Sequence, residues 1–283
     1  MHVVSPNFSD LLKPNCEIKT FPDGDSFVSI PNLTSMKNKD VILFHRLYPN
    51  QNSSLMQAFL LLSVLRRAGA KTTLVSPYLP YSRQDKALPG EPLSAEEICR
   101  MLSSAGVSKL VTLDCHFLKK PGNFTYAGLQ IENISMAEKL VEHARKIAGP
   151  DLLVISPDAG AGYMAGDNGK SMKKQRGDYV SGAETYRKIE KLEADFDVSG
   201  KKILIIDDMV ASGGTMIKAV ENLKKGGAEK IYCTATHGFF LKNSLEKLNG
   251  MCDVVFTSNS VSNEVGKVNF MDALRRYVDL PIE

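Results

Sequence analysis

Two adjacent carboxylates, Asp207 and Asp208, end the apolar run Ile203-Leu204-Ile205-Ile206, and Ala211-Ser212-Gly213-Gly214-Thr215 follows shortly after. The run has the length and β-branched content of a strand buried on both faces. Met216 to Lys225 then reads as a helix. In a parallel α/β sheet, ligands bind just outside the carboxyl ends of the strands. Two glycines let backbone N–H groups crowd a phosphate without Cβ interference, and the N-terminus of the next helix adds its partial positive charge. Ser212 and Thr215 add hydroxyl donors. The aspartates repel a phosphate, but they can accept hydrogen bonds from two vicinal hydroxyls or hold a metal. A phosphate cradle beside a diol clamp fits a phosphorylated sugar. The structural alternative is an ordinary strand–turn–helix junction with an acidic edge, because a GG turn alone is unspecific.

Other clusters follow expected strands in the same way. Tyr81-Ser82-Arg83-Gln84-Asp85-Lys86 comes after a strand at Thr72 to Val75. A guanidinium, an amide and an ammonium so close together suit a polyphosphate and a base, unless the run is a solvated loop. Asp114-Cys115-His116 follows a strand at Lys109 to Leu113, where a His either ligates a metal or caps the loop. Ser156-Pro157-Asp158-Ala159-Gly160 follows a strand at Leu152 to Ile155, and Phe21-Pro22-Asp23-Gly24-Asp25 is a turn by composition. The five cysteines (Cys16, Cys99, Cys115, Cys233, Cys252) are scattered, with no C-x-x-C pair. Neither a zinc site nor a disulfide framework is expected, and each reads as a small buried hydrophobe. No G-x-x-x-x-G-K-S/T loop is present, which argues against a Walker-type kinase.

The elements that position these clusters alternate. Strands at Phe27 to Ile30 and Val41 to Phe44 precede an amphipathic helix, Leu55 to Arg67. A strand at Thr72 to Val75, a helix at Ser94 to Ala105 and a strand at Lys109 to Leu113 follow, with Ser94 and Glu97 placed as a capping box. The order resumes with a helix at Met136 to Ile147 and strands at Leu152 to Ile155 and Ile203 to Ile206. The helix Ile217 to Lys225, strand Ile231 to Thr234, helix Asn243 to Leu248, strand Val254 to Thr257 and helix Met271 to Tyr277 complete it. The fold class is therefore α/β: two similar domains, residues 1–145 and 146–283, each a mainly parallel sheet flanked by helices. From Gly160 to Ser199 the pattern breaks, and charges crowd Lys170 to Asp197. Such a stretch inside an α/β domain reads as a lid or as disorder.

A chain of 283 residues accommodates two domains, and its net charge of +3 gives no support for nucleic-acid or membrane binding. No apolar run approaches the ~20 residues that cross a bilayer. Met1 to Asp10 lacks the pattern of a signal peptide, so a cytoplasmic protein is expected.

Taken in order, the motifs resemble those of ribose-phosphate pyrophosphokinases, the synthetases of phosphoribosyl diphosphate (PRPP), in a short archaeal-like form. The stretch from Ile203 to Thr215 resembles the PRPP fingerprint shared with type I phosphoribosyltransferases, with Ala211 where Asp, Ser or Thr is usual. Tyr81 to Lys86 is similar to Tyr-Ala-Arg-Gln-Asp-Arg/Lys, Asp114 to His116 to Asp-Leu-His, and Pro157 to Gly160 to Pro-Asp-x-Gly. Phe21 to Asp25 is similar to Phe-x-Asp-Gly-Glu, with Asp25 one methylene shorter than the usual Glu, and Lys174-Gln175-Arg176 matches the catalytic loop's Lys-x-Arg. The resemblance runs from about Phe21 to Thr257.

It implies a type I phosphoribosyltransferase-like fold and an enzyme, a ribose-phosphate diphosphokinase. This would move the β,γ-diphosphoryl group of ATP to the C1 hydroxyl of ribose 5-phosphate, giving PRPP and AMP. Lys174 and Arg176 are then the catalytic residues. ATP contacts fall to Phe21, Asp23, Gly24, Asp25, Arg83, Gln84, Asp85 and His116. Ribose 5-phosphate contacts fall to Arg176, Asp207, Asp208, Ala211, Ser212, Gly213, Gly214 and Thr215, and Mg²⁺ to His116 and Asp158. The implied assembly is a homo-oligomer, a dimer or higher, whose ATP site lies at a subunit interface with Asp23 and Asp25 acting in trans. Two rivals stand. A type I phosphoribosyltransferase would consume PRPP through the same loop but has no need of Arg83 and Gln84. A non-catalytic regulatory paralogue should have lost the metal His or the Lys-x-Arg pair.

Overall fold

Two six-stranded sheets carry the molecule. The computed structural model describes residues 1–180, 186–193 and 196–278, with the backbone alone for 173–180 and 186–193. The chain forms two compact units, Met1–Ile134 joined by the C-terminal helix from Met271, and Ser135–Phe270.

In the first unit β1 (His2–Val4) is followed by a separate antiparallel hairpin, β2 (Glu17–Thr20) and β3 (Ser26–Ser29). Then come β4 (Asp40–Phe44), α1 (Gln51–Arg67), β5 (Lys71–Val75), α2 (Ser94–Ser104), β6 (Val107–Leu113), β7 (Gly122–Tyr126) and β8 (Leu129–Ile134). The sheet order is β1-β4-β5-β6-β8-β7, parallel except where β7 pairs antiparallel with β8. Ala58, Leu61, Leu62 and Leu65 recur at helical spacing on α1 and pack with Leu43, Leu74, Leu110 and Ile131 of the sheet in one core.

The second unit contains α3 (Ala137–Ala148), β9 (Leu153–Ser156), β10 (Lys170–Ser171), β11 (Lys173–Val180), β12 (Tyr186–Glu193), β13 (Lys202–Val210) and α4 (Gly214–Lys225). It closes with β14 (Lys230–Gly238), α5 (Ser244–Asn249), β15 (Val254–Ser258) and β16 (Gly266–Val268). Its sheet is wholly parallel, in the order β10-β9-β13-β14-β15-β16. Ile203, Leu204, Ile205 and Ile206 of the central β13 are all fully buried, as a strand covered on both faces requires. The fold class is thus α/β, with a mainly parallel sheet and flanking helices in each unit.

Several local expectations are corrected. A division near residue 145 would cut α3; the units part instead between Ile134 and Ser135, and α6 (Met271–Val278) belongs with the first. The reason is side-chain pairing. Tyr277 and Arg276 both reach Glu132, which is buried on β8 and also accepts from Lys109 Nζ at 2.9 Å. β13 does not stop at Ile206. It continues through both aspartates, because β14 extends to Gly238 and pairs Met209 with His237 and Val210 with Gly238. In the segment after Gly160, expected as a lid or as disorder, β11 and β12 pair antiparallel, with ladder irregularities on either side of Arg176. The capping box at α2 does not form: Leu93 takes the cap position and the Ser94 hydroxyl donates to Gln84 Oε1 at 2.5 Å. No described helix is long and apolar enough to cross a membrane.

Candidate active site

In the second unit the site is built at the carboxyl edge of β9 and β13, which run side by side with Ile155 opposite Ile205. Asp207 Oδ1 accepts from the Asp208 amide at 2.9 Å and Asp208 Oδ1 from the Met209 amide at 2.8 Å, so each carboxylate is braced by the backbone one residue on. Asp158 leads the short 3₁₀ turn Ala159–Ala165, and its Oδ1 accepts from the Gly160 amide at 2.8 Å. Burial raises the Asp207 pKa well above the usual carboxylate range, with repulsion from Asp208 and then Asp158 adding to it. Three carboxyl groups therefore share one strand edge, and partners that donate hydrogen bonds or carry positive charge would relieve them. Among the described residues no group of three or more His, Cys, Asp or Glu side chains is arranged to enclose a metal by itself. The donor set fits an ion such as Mg²⁺, which keeps several waters and takes only one or two protein carboxylates alongside substrate phosphates.

The turn after β13 is held from behind. Leu241 N donates to Ala211 O at 2.8 Å, and Phe239 N and Phe240 N both donate to Val210 O. Gly213 has φ +74°, and a Cβ there would lie 2.6 Å from Ser244 Cβ, so this position requires glycine twice over. At Gly214 a Cβ would meet no atom within 4 Å, so packing does not explain that glycine. Helix α4 begins at Gly214 without a side-chain cap. A helix N-terminus of this kind carries partial positive charge and suits an anion. Ser212 and Gly214 are exposed there.

The first unit presents its candidates at the carboxyl edge of β5 and β6, which are adjacent and parallel. Tyr81 turns the chain at φ +63° and its hydroxyl donates to Asn52, while Ser82 is buried and Arg83, Gln84 and Lys86 are exposed. Gln84 is fixed at three points: its N–H donates to Tyr81 O, its C=O accepts from the Ala95 amide, and Oε1 accepts from Ser94. Beyond β6 the buried Asp114 sits at φ +35° and His116 is half-buried. Asn133 brackets this loop, accepting from the Cys115 amide at 2.8 Å and donating to Lys120 O at 2.9 Å.

Phe21, Asp23, Gly24 and Asp25 stand apart, all exposed at the tip of the β2–β3 hairpin. Gly24 has φ +100°, Phe21 N donates to Asp25 O at 2.8 Å, and Phe21 packs edge-on to Phe27. Lys174 and Arg176 lie on β11, and their side chains fall outside the described residues.

Asn133 and the brace formed by 239–241 and Ser244 were not foreseen from sequence. Asn133 carries no motif. The Thr236-His237-Gly238 run at a strand's end was the only visible hint of the second group. His237 is buried there with Nδ1 2.9 Å from Ser260 Oγ.

Residues 9–106 match the N-terminal domain of ribose phosphate pyrophosphokinase, and residues 130–272 match the phosphoribosyl transferase domain. The ribose-phosphate pyrophosphokinase of Methanopyrus kandleri is 34% identical over 261 residues, covering 88% of this chain and 84% of that protein. That of Pyrococcus furiosus is 32% identical over 259 residues, covering 91% and 90%. The crystal structure of phosphoribosylpyrophosphate synthetase from Mycobacterium smegmatis superposes with a TM-score of 0.77 at 22% identity, covering 98% of this chain and 97% of that one, which shows a shared fold.

Proposed function

The chain belongs to the ribose-phosphate pyrophosphokinase family, and from that premise we infer that it transfers the β,γ-diphosphoryl group of ATP to the C1 hydroxyl of ribose 5-phosphate, releasing PRPP and AMP. The observation that carries this reading is the uncapped start of α4 beside the braced Asp207–Asp208 pair: an anion site next to acceptors for a diol. A phosphorylated pentose offers both groups in one molecule.

In this reading the backbone from Ala211 to Thr215, with the Ser212 and Thr215 hydroxyls, holds the 5-phosphate. Asp207 and Asp208 accept from the ribose hydroxyls and orient C1. Arg83, Gln84 and Asp85 receive the nucleotide in the first unit. The hairpin tip, Phe21 with Asp23, Gly24 and Asp25, serves an ATP site at a subunit interface of a homo-oligomer, since it is exposed and projects from a sheet of its own. His116 and Asp158 each carry an assignment to Mg²⁺. Bound there, Mg²⁺ would neutralise charge on the ATP phosphates.

Lys174 and Arg176 are assigned to the transferring group, where two cations lower the barrier by meeting charge as it develops. The C1 oxygen attacks the β-phosphorus in line with the departing AMP, so positioning and charge neutralisation supply most of the rate. Such an enzyme suits a cytoplasmic setting.

The test is AMP formation from ATP and Mg²⁺ with and without ribose 5-phosphate. Wild type should form AMP only when the sugar phosphate is present, and Lys174→Ala should lower kcat about 100-fold or more. No AMP from wild type under any divalent ion would sink the assignment and favour a non-catalytic partner.

A further inference from the structure

We propose that Cys233 and Cys252 form a peroxide-sensitive dithiol that closes to an intramolecular disulfide within the second unit. Their sulfurs lie 3.2 Å apart although the residues are separated by 19 positions in the chain. A disulfide bond is about 2.05 Å long, so the sulfurs need to approach by only about 1 Å.

The placement suits a two-step oxidation. Cys233 is buried in the middle of β14, between Ile205 of β13 and Val255 of β15. Cys252 is half-buried in the turn after α5, where its amide donates to Leu248 O at 2.8 Å and the Asp253 amide donates to Ile231 O at 2.9 Å. Those bonds fix the turn against the strand that carries the partner thiol. Packing alone accounts for Cys233. Cys252 packs at the edge of the same core and is the more accessible of the two thiols. Cys16, Cys99 and Cys115 belong to the other unit and are buried.

The chemistry balances with a hydroperoxide as oxidant. The Cys252 sulfur attacks one peroxide oxygen, the O–O bond breaks, and the first water leaves as Cys252 becomes a sulfenic acid. The Cys233 sulfur loses its proton and attacks the Cys252 sulfur, and the departing hydroxide takes that proton as the second water. Two thiols thereby lose two electrons and hydrogen peroxide becomes two waters. The cross-link fastens the C-terminal end of α5 to the central sheet, while Ser244 at the other end of α5 rests against Gly213.

The experiment treats the full chain with hydrogen peroxide and reads intact mass, linked peptides and thermal midpoint. The expected result is loss of two hydrogens, a linked peptide pair containing Cys233 and Cys252, and a midpoint raised by roughly 5 °C that dithiothreitol restores. Cys252→Ser, a change at a half-exposed turn, should leave the reduced midpoint unchanged and abolish both the linked pair and the peroxide shift. Oxygen addition without a linked pair, a link between other cysteines, or no reaction in wild type would each overturn the proposal.

Discussion

Gly213 and Gly214 are neighbours with different physical roles. Gly213 occupies left-handed backbone against Ser244. Gly213→Ala is predicted to destabilise the second unit by roughly 2 kcal/mol, combining the left-handed penalty with displacement of α5, and to raise KM for ribose 5-phosphate. Gly214→Ala has space and sits at a helical position, so stability should hold or rise by up to about 1 kcal/mol while KM still rises. Urea denaturation read beside KM separates the two, and equal stability losses would contradict the assignment. His45 makes a second prediction at this scale. It is fully buried, with Nε2 donating to Ser54 O at 2.9 Å, and burial pushes its pKa down to about 4, outweighing the opposing hydrogen bond. The unfolded chain binds a proton near pH 6.5 and the native chain does not until about pH 4. Its contribution is therefore complete above about 6.5 and lost as pH falls through that window, by about 3 kcal/mol. Asp207, raised rather than lowered, acts in the opposite sense in the other unit, so the informative quantity is the difference between wild type and His45→Gln. If that difference is the same at pH 7 and pH 4.5, His45 is not buried neutral.

Among elements, α2 shows why a local motif is not always used locally. Ser94 and Glu97 have capping-box spacing, yet the Ser94 hydroxyl holds Gln84 instead. Ser94→Ala should cost about 1 kcal/mol and raise KM for ATP severalfold with kcat preserved. If only the thermal midpoint moves, Gln84 is not a nucleotide contact. The β11–β12 pair makes the complementary point. Its dense charges read as a lid or as disorder, but Tyr179, Val180, Tyr186 and Ile189 are good strand formers by sequence, and the backbone pairs Val180 with Tyr186 and Arg176 with Ile189.

At the scale of the whole chain, the C-terminal helix belongs to the first unit although it follows the second in sequence. Tyr277 is buried, donates to Glu132, and its ring lies 5.3 Å from Lys109 Nζ. Tyr277→Ala should cost about 3 kcal/mol, from the lost aromatic packing and a buried carboxylate short of a donor. Hydrogen exchange should then quicken in β6 and β8 and stay unchanged in β13 and β14. Faster exchange in β13 instead would contradict the assignment of α6.

Although β1, β2, β7, β8 and β16 were not read from the sequence, fold class and the main alternation of strands and helices were legible along the chain. They rest on short-range causes: the period of apolar residues, β-branched content at Ile203 to Ile206, and glycine where backbone must approach a ligand or turn left-handed. The residues nominated for chemistry were picked out by motif, and the structure puts Asp114 and His116 just past the end of β6 and Asp158 just past the end of β9, while Asp207 and Asp208 lie within β13 itself. What tertiary structure alone decided rests on partners distant in sequence. It extended β13 through Asp207 and Asp208 by pairing it with β14, returned Tyr277 to Glu132, and turned Ser94 toward Gln84. It also set Ser244 behind Gly213 and brought Cys233 against Cys252. Local pattern encodes conformation, whereas these pairings depend on which buried surfaces the packed sheets bring together.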